Sequence, residues 1–305
     1  MVLLAALFAC TAPVDGAGGT GDSGVPGDTS APPGDTSAPA DTADPEDTSD
    51  PEDSGEPPLT YDEGDGPYDV TTEDGKVSGQ GVTWFSPRGL SAAPVVMWAH
   101  GFARSRAFHH DSARHAATWG LVVVTVDLPE PYGGHEANGA FLADELLTAA
   151  LARPEADGRW AFVGHSAGGL AAVLAAAEVG ADAVVGLDAV DYDDLGRDAA
   201  RQVTAPTLRL VGEPSACNAS GNGRDWSLGG TDWMVEVPRA SHCDFESPTD
   251  TLCSAVCGSA DSARQEVVGE YAAAWLVYTL LGGAEAWVEG AEAQADRQDG
   301  RIDYD

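Results

Sequence analysis

The sequence predicts an α/β protein, a mostly parallel central sheet with helices on both faces. Three observations carry this. Short continuous apolar runs, such as Pro94-Val95-Val96-Met97-Trp98-Ala99 and Leu121-Val122-Val123-Val124-Thr125-Val126, alternate with segments of helical spacing. That alternation builds a buried parallel sheet crossed by helices. Four residues able to do chemistry, His100, Ser166, Asp188 and His242, each fall just beyond such a run. Open parallel sheets bind ligands there, at the strands' carboxyl ends. Lastly, Gly164-His165-Ser166-Ala167-Gly168-Gly169 joins an apolar run to an Ala-rich helical segment. Strand, G-x-S-x-G and helix is the context of a tight turn that exposes a serine hydroxyl.

Taken in order, the chain of 305 residues begins with an apolar stretch ending Leu7-Phe8-Ala9-Cys10. It resembles the lipobox of bacterial lipoprotein signal peptides, which makes residues 1–10 a signal and Cys10 the expected lipid anchor. Residues 11–66 are rich in Pro, Gly, Ser, Thr and Asp, with almost no aliphatic or aromatic side chain. Such a segment cannot offset its ordering entropy and is expected to be a disordered, extended tether. Net charge is −35, with 50 acidic and 15 basic residues, and residues 1–66 hold 15 of the acids and no base. This balance argues against nucleic acid and against a basic membrane-adsorbing patch. The membrane is expected to be reached only through Cys10, and the protein to be exported, at the cell surface or secreted.

The catalytic-sized domain is expected over residues 67–295, followed by an acidic tail, 296–305. Residues 77–85 alternate loosely and stop at Pro87, as an edge strand does. Residues 94–99 and 121–126 are buried strands, separated by a helix over 106–119. Residues 138–151 carry Phe141, Leu142, Leu146, Leu147 and Leu151 at helical spacing. Residues 160–163 form the strand before Ser166, and 170–180 the helix after it, stopped by Gly180. Strands at 183–187, 206–211 and 233–237 follow, then helices at 271–281 and 284–295. Trp226 and Trp233 fit either a cleft wall or the core.

The last third holds Cys217, Cys243, Cys253 and Cys257. An even number in an exported domain predicts two disulfides, with three possible connectivities. A zinc site beside His242 is the less fitting alternative, because the spacing matches no finger pattern. The Asp repeats of the tether, Asp191-Tyr192-Asp193-Asp194, and Asp299-Gly300-Arg301-Ile302-Asp303 do not make calcium sites. In the last case Ala295 and Arg297 occupy ligand positions.

Four stretches, Val95 to Phe102, Gly120 to Asp127, Gly164 to Gly169 and Gly186-Leu187-Asp188-Ala189-Val190-Asp191, resemble the α/β-hydrolase family over roughly residues 68–290. Within it they resemble the branch of plant chlorophyllases, bacterial polyester hydrolases and dienelactone-hydrolase-like esterases. The resemblance implies a serine hydrolase of carboxylic esters, with no cofactor and no metal. Ser166 is then the nucleophile, and Gly164 and Gly168 remove the clashes its turn would create. The family order, Ser then acid then His, selects His242, because the six other histidines precede the serine or sit inside its turn. Asp188 resembles the triad aspartate of the Gly-Leu-Asp in chlorophyllases. Glu213, beyond the strand where many hydrolases carry their acid, and Asp191 stay open as alternatives. The N–H groups of Phe102 and Ala167 are the expected oxyanion donors. His100 is expected to brace its turn.

The implied partner is a small-molecule or polymeric ester, taken into an open cleft by a monomer. Two other function classes fit the same residues. One is a tethered binding protein without turnover. The other is an acyltransferase or peptidase using the same triad.

Overall fold

The computed structural model describes residues 60–304. The expected signal, Cys10 and nearly all of the tether lie outside the described residues. Eight strands form one sheet: β1 Val70–Val77, β2 Gln80–Pro87, β3 Ala93–Ala99, β4 Val122–Val126, β5 Ala156–His165, β6 Ala183–Leu187, β7 Thr207–Val211 and β8 Asp232–Glu236. Their order is β1-β2-β4-β3-β5-β6-β7-β8. β1 and β2 pair antiparallel, as do β2 and β4, and every other pair is parallel.

The parallel strands are apolar throughout because both their faces are covered. Val95, Met97 and Ala99 enter one core, and Val96 and Trp98 the other, as the two-residue strand period requires. The first core packs against α2 (His135–Phe141), α3 (Leu147–Leu151), α4 (Ala167–Val179) and α5 (Leu195–Ala200). The second packs against α1 (His110–Thr118), α7 (Ser262–Leu281) and α8 (Glu285–Val288). Helices therefore cover both faces. Two further helices are α6 (Thr251–Cys257) and α9 (Ala291–Asp299). Among the described residues, no helix is long and apolar enough to cross a membrane.

The chain crosses from β3 to β4 on one side and returns to β5 on the other, so the direction of winding reverses at β3. The helices that follow β3 and β5, α1 and α4, lie on opposite faces of the sheet, and open α/β sheets bind ligands at the carboxyl ends of strands at such a point.

Several expectations shift. The single strand expected over 77–85 is the second arm of a hairpin, turned at Ser78 and Gly79, whose φ values are 47° and 89°. β1 escapes a pattern search because it is an edge strand whose residues are nearly all exposed. The helix expected over 138–151 starts three residues earlier, at His135, and passes through a π turn, Leu142–Leu146. The tether boundary at 66 moves outward, because Tyr61 is buried and its hydroxyl donates to the Glu270 carbonyl (2.8 Å). Residues 296–304 are no tail either. Asp296 and Ile302 are buried, and Asp303 bridges Glu236 of β8. Trp226 and Trp233 pack in the two cores rather than in a cleft wall.

Candidate active site

β5 ends at His165 and α4 begins at Ala167, leaving Ser166 alone at the turn with φ 55° and ψ −121°. A non-glycine residue holds such angles only where its surroundings over-determine them. Here they do. The Ser166 N–H donates to the Leu187 carbonyl (3.0 Å), and its carbonyl accepts from Gly169 (2.9 Å) and Val190 (3.2 Å). A side chain at Gly164 would overlap the Gly168 carbonyl. One at Gly168 would lie 2.5 Å from the carbonyl oxygens of both Ala99 and His100. The glycines thus let α4 start hard against the ends of β3 and β5. Asp188 (φ 42°) and Ala103 (φ 57°) also occupy the left-handed region, so backbone strain gathers at these strand ends.

Gly101 leads the β3 loop past the serine, and a Cβ on it would lie 3.0 Å from the Ser166 Cβ. Phe102 follows, half-buried, its ring edge-on to Tyr132 at 5.9 Å. Among the described residues, neither the Phe102 nor the Ala167 N–H has a protein acceptor. Both donors are unpaired there, one beside Gly101 and the other at the start of α4. His100 braces this loop. Its Nδ1 contacts the Gly101 carbonyl (2.7 Å), and its Nε2 accepts from the Leu128 N–H (3.0 Å). That pairing places the proton on Nδ1.

His242 opens a short 3₁₀ turn, His242–Phe245, fixed by a capping box between Ser241 and Asp244. Arg264 Nε donates to Asp244 (3.0 Å), and Arg104 grips the buried Glu246 with two bonds of 2.6 and 2.7 Å. The His242 loop is therefore anchored to α7 and to the β3 loop. His242 Nδ1 lies 2.6 Å from Asp188 Oδ2. Its ring lies tilted by 41° against that of His165, with centroids 4.5 Å apart. His165 and His109 are buried, and neither ring has a hydrogen-bond partner among the described residues. Burial pushes His109 down to about 3 and holds His165 well below the usual histidine range. Both stay neutral behind His242. Ser166 Oγ makes no hydrogen bond to His242 among the described residues, and such contacts commonly tighten only when substrate binds.

Asp188 is buried at the end of β6 and accepts four bonds. Oδ1 receives the Gly212 N–H (3.0 Å) and Asn218 Nδ2 (3.2 Å), and Oδ2 receives Asn218 Nδ2 (3.0 Å) and His242 Nδ1. The two alternatives for the acid sit elsewhere. Asp191 accepts from the Gly196 and Arg197 N–H groups (2.8 and 2.9 Å) at the start of α5, and from Trp226 Nε1 (2.9 Å). It caps a helix. Glu213 is exposed, and among the described residues its carboxylate accepts only the Arg239 N–H, at 3.2 Å.

Cys217 is joined to Cys257, and Cys243 to Cys253, which selects one of the three connectivities and indicates an oxidising environment. One bridge is next to His242 and the other next to Asn218. Asn218 carries no sequence motif, and its only advance signal is its place beside a cysteine. Arg104 and Glu246 are likewise invisible in the sequence, being 142 residues apart.

No protein-family model matches this chain, and no curated protein matches it either.

Proposed function

We propose that the protein is an α/β-hydrolase that cleaves carboxylic esters by covalent serine catalysis. One observation carries this reading: a buried carboxylate, Asp188, bonded at 2.6 Å to the Nδ1 of His242, whose ring packs against His165, the neighbour of a strained serine. A serine hydroxyl is a weak nucleophile until a base takes its proton. Asp188 accepts the Nδ1 proton, so the Nε2 lone pair is the free basic site. It takes the Ser166 Oγ proton as Oγ attacks the ester carbonyl. The carbonyl oxygen becomes an oxyanion between the Phe102 and Ala167 N–H groups. The imidazolium, stabilised by Asp188, then protonates the departing alcohol. Water enters, gives its proton to Nε2 and attacks the acyl-enzyme. The acid leaves and Ser166 regains its proton.

Export fits the two disulfides together with the lipobox-like end at Cys10 and the acidic tether. The lack of an aspartate directly after β7 is the one feature that favours a non-catalytic binding protein, and against it stands Asp188, at the end of β6 and beside His242. The test is hydrolysis of p-nitrophenyl acetate and butyrate by the full chain and by Ser166→Ala and His242→Ala. Turnover abolished by both substitutions supports the reading. Absence of turnover in the folded wild type contradicts it.

A further inference from the structure

We infer that Asn218 is a positioning residue for Asp188, and that the Cys217–Cys257 disulfide holds it there. The proposed chemistry then depends on that bond staying oxidised. This rests on the Ser166–His242–Asp188 reading above.

A carboxylate can rotate about its last bond, and a triad needs one oxygen aimed at Nδ1. Asn218 prevents the rotation. It is fully buried, and its Nδ2 bonds both Asp188 oxygens and the Glu213 carbonyl (2.9 Å). Its own Oδ1 accepts from the Ser215 and Gly221 N–H groups (2.7 and 3.1 Å). With donors at one end and acceptors at the other, the amide has a single workable orientation. It holds the carboxylate plane while leaving the in-line Oδ2 approach to His242.

The segment that carries Asn218 is strained, although it bonds itself through the Ser220 N–H to the Ser215 carbonyl (2.7 Å) and the Gly221 N–H to the Asn218 carbonyl (2.8 Å). Ala219, Ser220 and Gly221 follow it at φ 49°, 60° and 75°, a run of left-handed residues of which two have side chains. Cys217, immediately before, is tied to Cys257 at the end of α6. The same helix is tied through Cys253 to Cys243, the neighbour of His242. One seven-residue helix thus staples the acid's holder and the base's loop together. Cys243 and Cys253 are buried, whereas Cys217 and Cys257 are partly exposed. An external dithiol therefore reaches the Cys217–Cys257 bond first. It gives up two electrons and two protons and becomes a disulfide, and Cys217 and Cys257 become thiols. The Asn218 segment then loses its covalent tie to α6 and keeps only its hydrogen bonds.

The test uses the full chain, p-nitrophenyl acetate, and a fluorophosphonate to count active sites. Asn218→Ala removes the grip on Asp188. Asn218→Asp keeps an acceptor for Ser215 and Gly221, so its loop retains those bonds, but it sets a second carboxylate against Asp188. Both variants are expected to lose about 10- to 100-fold in kcat per counted site, with KM within about twofold. The downfield proton resonance of His242 Nδ1 is expected to move or vanish in both. The Cys217→Ser/Cys257→Ser double variant is expected to fall in kcat in the same way, and dithiothreitol-treated wild type to match it and recover on reoxidation. Unchanged kcat in Asn218→Asp overturns the positioning role, even where Asn218→Ala fails to fold. Unchanged kcat in the double variant overturns the role of the disulfide. Wild type that neither turns over nor labels removes the triad reading itself, and with it the task assigned to Asn218.

Discussion

Replacing Asp188 with asparagine changes almost no volume but reverses one end of the group. Three donors make four contacts with the two carboxylate oxygens: the Gly212 N–H, Asn218 Nδ2 to both, and His242 Nδ1. The amide has one oxygen and one NH₂, so either orientation sets a donor against a donor. With NH₂ toward Gly212 and Asn218, two donors are left opposed in a buried site. With NH₂ toward His242, the imidazole must carry its proton on Nε2 and can no longer accept from Ser166. Losing a hydrogen bond to a charged group costs roughly 1.5–3 kcal/mol, and stranding a buried donor roughly 1–3 more. Together these amount to about 10²- to 10⁴-fold in kcat/KM. The assay is p-nitrophenyl acetate hydrolysis per fluorophosphonate-counted site, for Asp188→Asn beside Glu213→Gln. Glu213 is exposed with one weak bond, so Glu213→Gln is expected within about twofold of wild type. Activity kept in Asp188→Asn and lost in Glu213→Gln would refute the assignment of the acid.

Three further outcomes follow from the same geometry. Gly164→Ala drives a methyl group into the Gly168 carbonyl and is expected to cost about 3 kcal/mol in denaturant unfolding, along with the activity. Asp191→Ala removes two bonds to the start of α5 and one to Trp226. It is expected to cost about 2 kcal/mol of stability while leaving kcat unchanged, and a fall in kcat per counted site would contradict its purely structural role. His109 is depressed from 6.5 to about 3 in the folded state, so below pH 6.5 the unfolded chain binds the extra proton. Its contribution is complete above pH 6.5 and lost as pH falls toward 3, by about 1.4 kcal/mol per unit. Stability measured between pH 7 and 4.5 is expected to fall less steeply in His109→Phe than in wild type, and equal slopes would contradict it.

The buried strands and the residues beyond them were legible because a strand covered on both faces must be apolar along its whole length. Chain order then separated His242 from six other histidines, and the glycines of the Ser166 turn marked a place where no side chain fits. β1 was not legible, since an exposed edge strand carries Thr, Glu, Asp and Lys like any loop. Nor were the domain's ends. Tyr61 and Ile302 are single apolar residues in polar surroundings, and only the surfaces that α1, α7, α9 and β8 present give them somewhere to go. Cysteine spacing left three pairings open, because pairing depends on how α6 lies against two loops. Asn218 and the Arg104–Glu246 pair were out of reach for the same reason. Each acts across a distance in sequence that only the folded sheet closes. Asp191 shows the converse: its position suggested chemistry, and its bonds are those of a helix cap.

The most direct test of Ser166 as a nucleophile is its covalent capture. The full chain is treated with a fluorophosphonate, and the adduct is weighed on the intact protein and mapped to a peptide. A single adduct on Ser166, absent in Ser166→Ala and slowed in His242→Ala and Asp188→Asn, is the predicted result. A folded wild type that takes up no label, or takes it on another residue, would contradict a triad built from Ser166, His242 and Asp188.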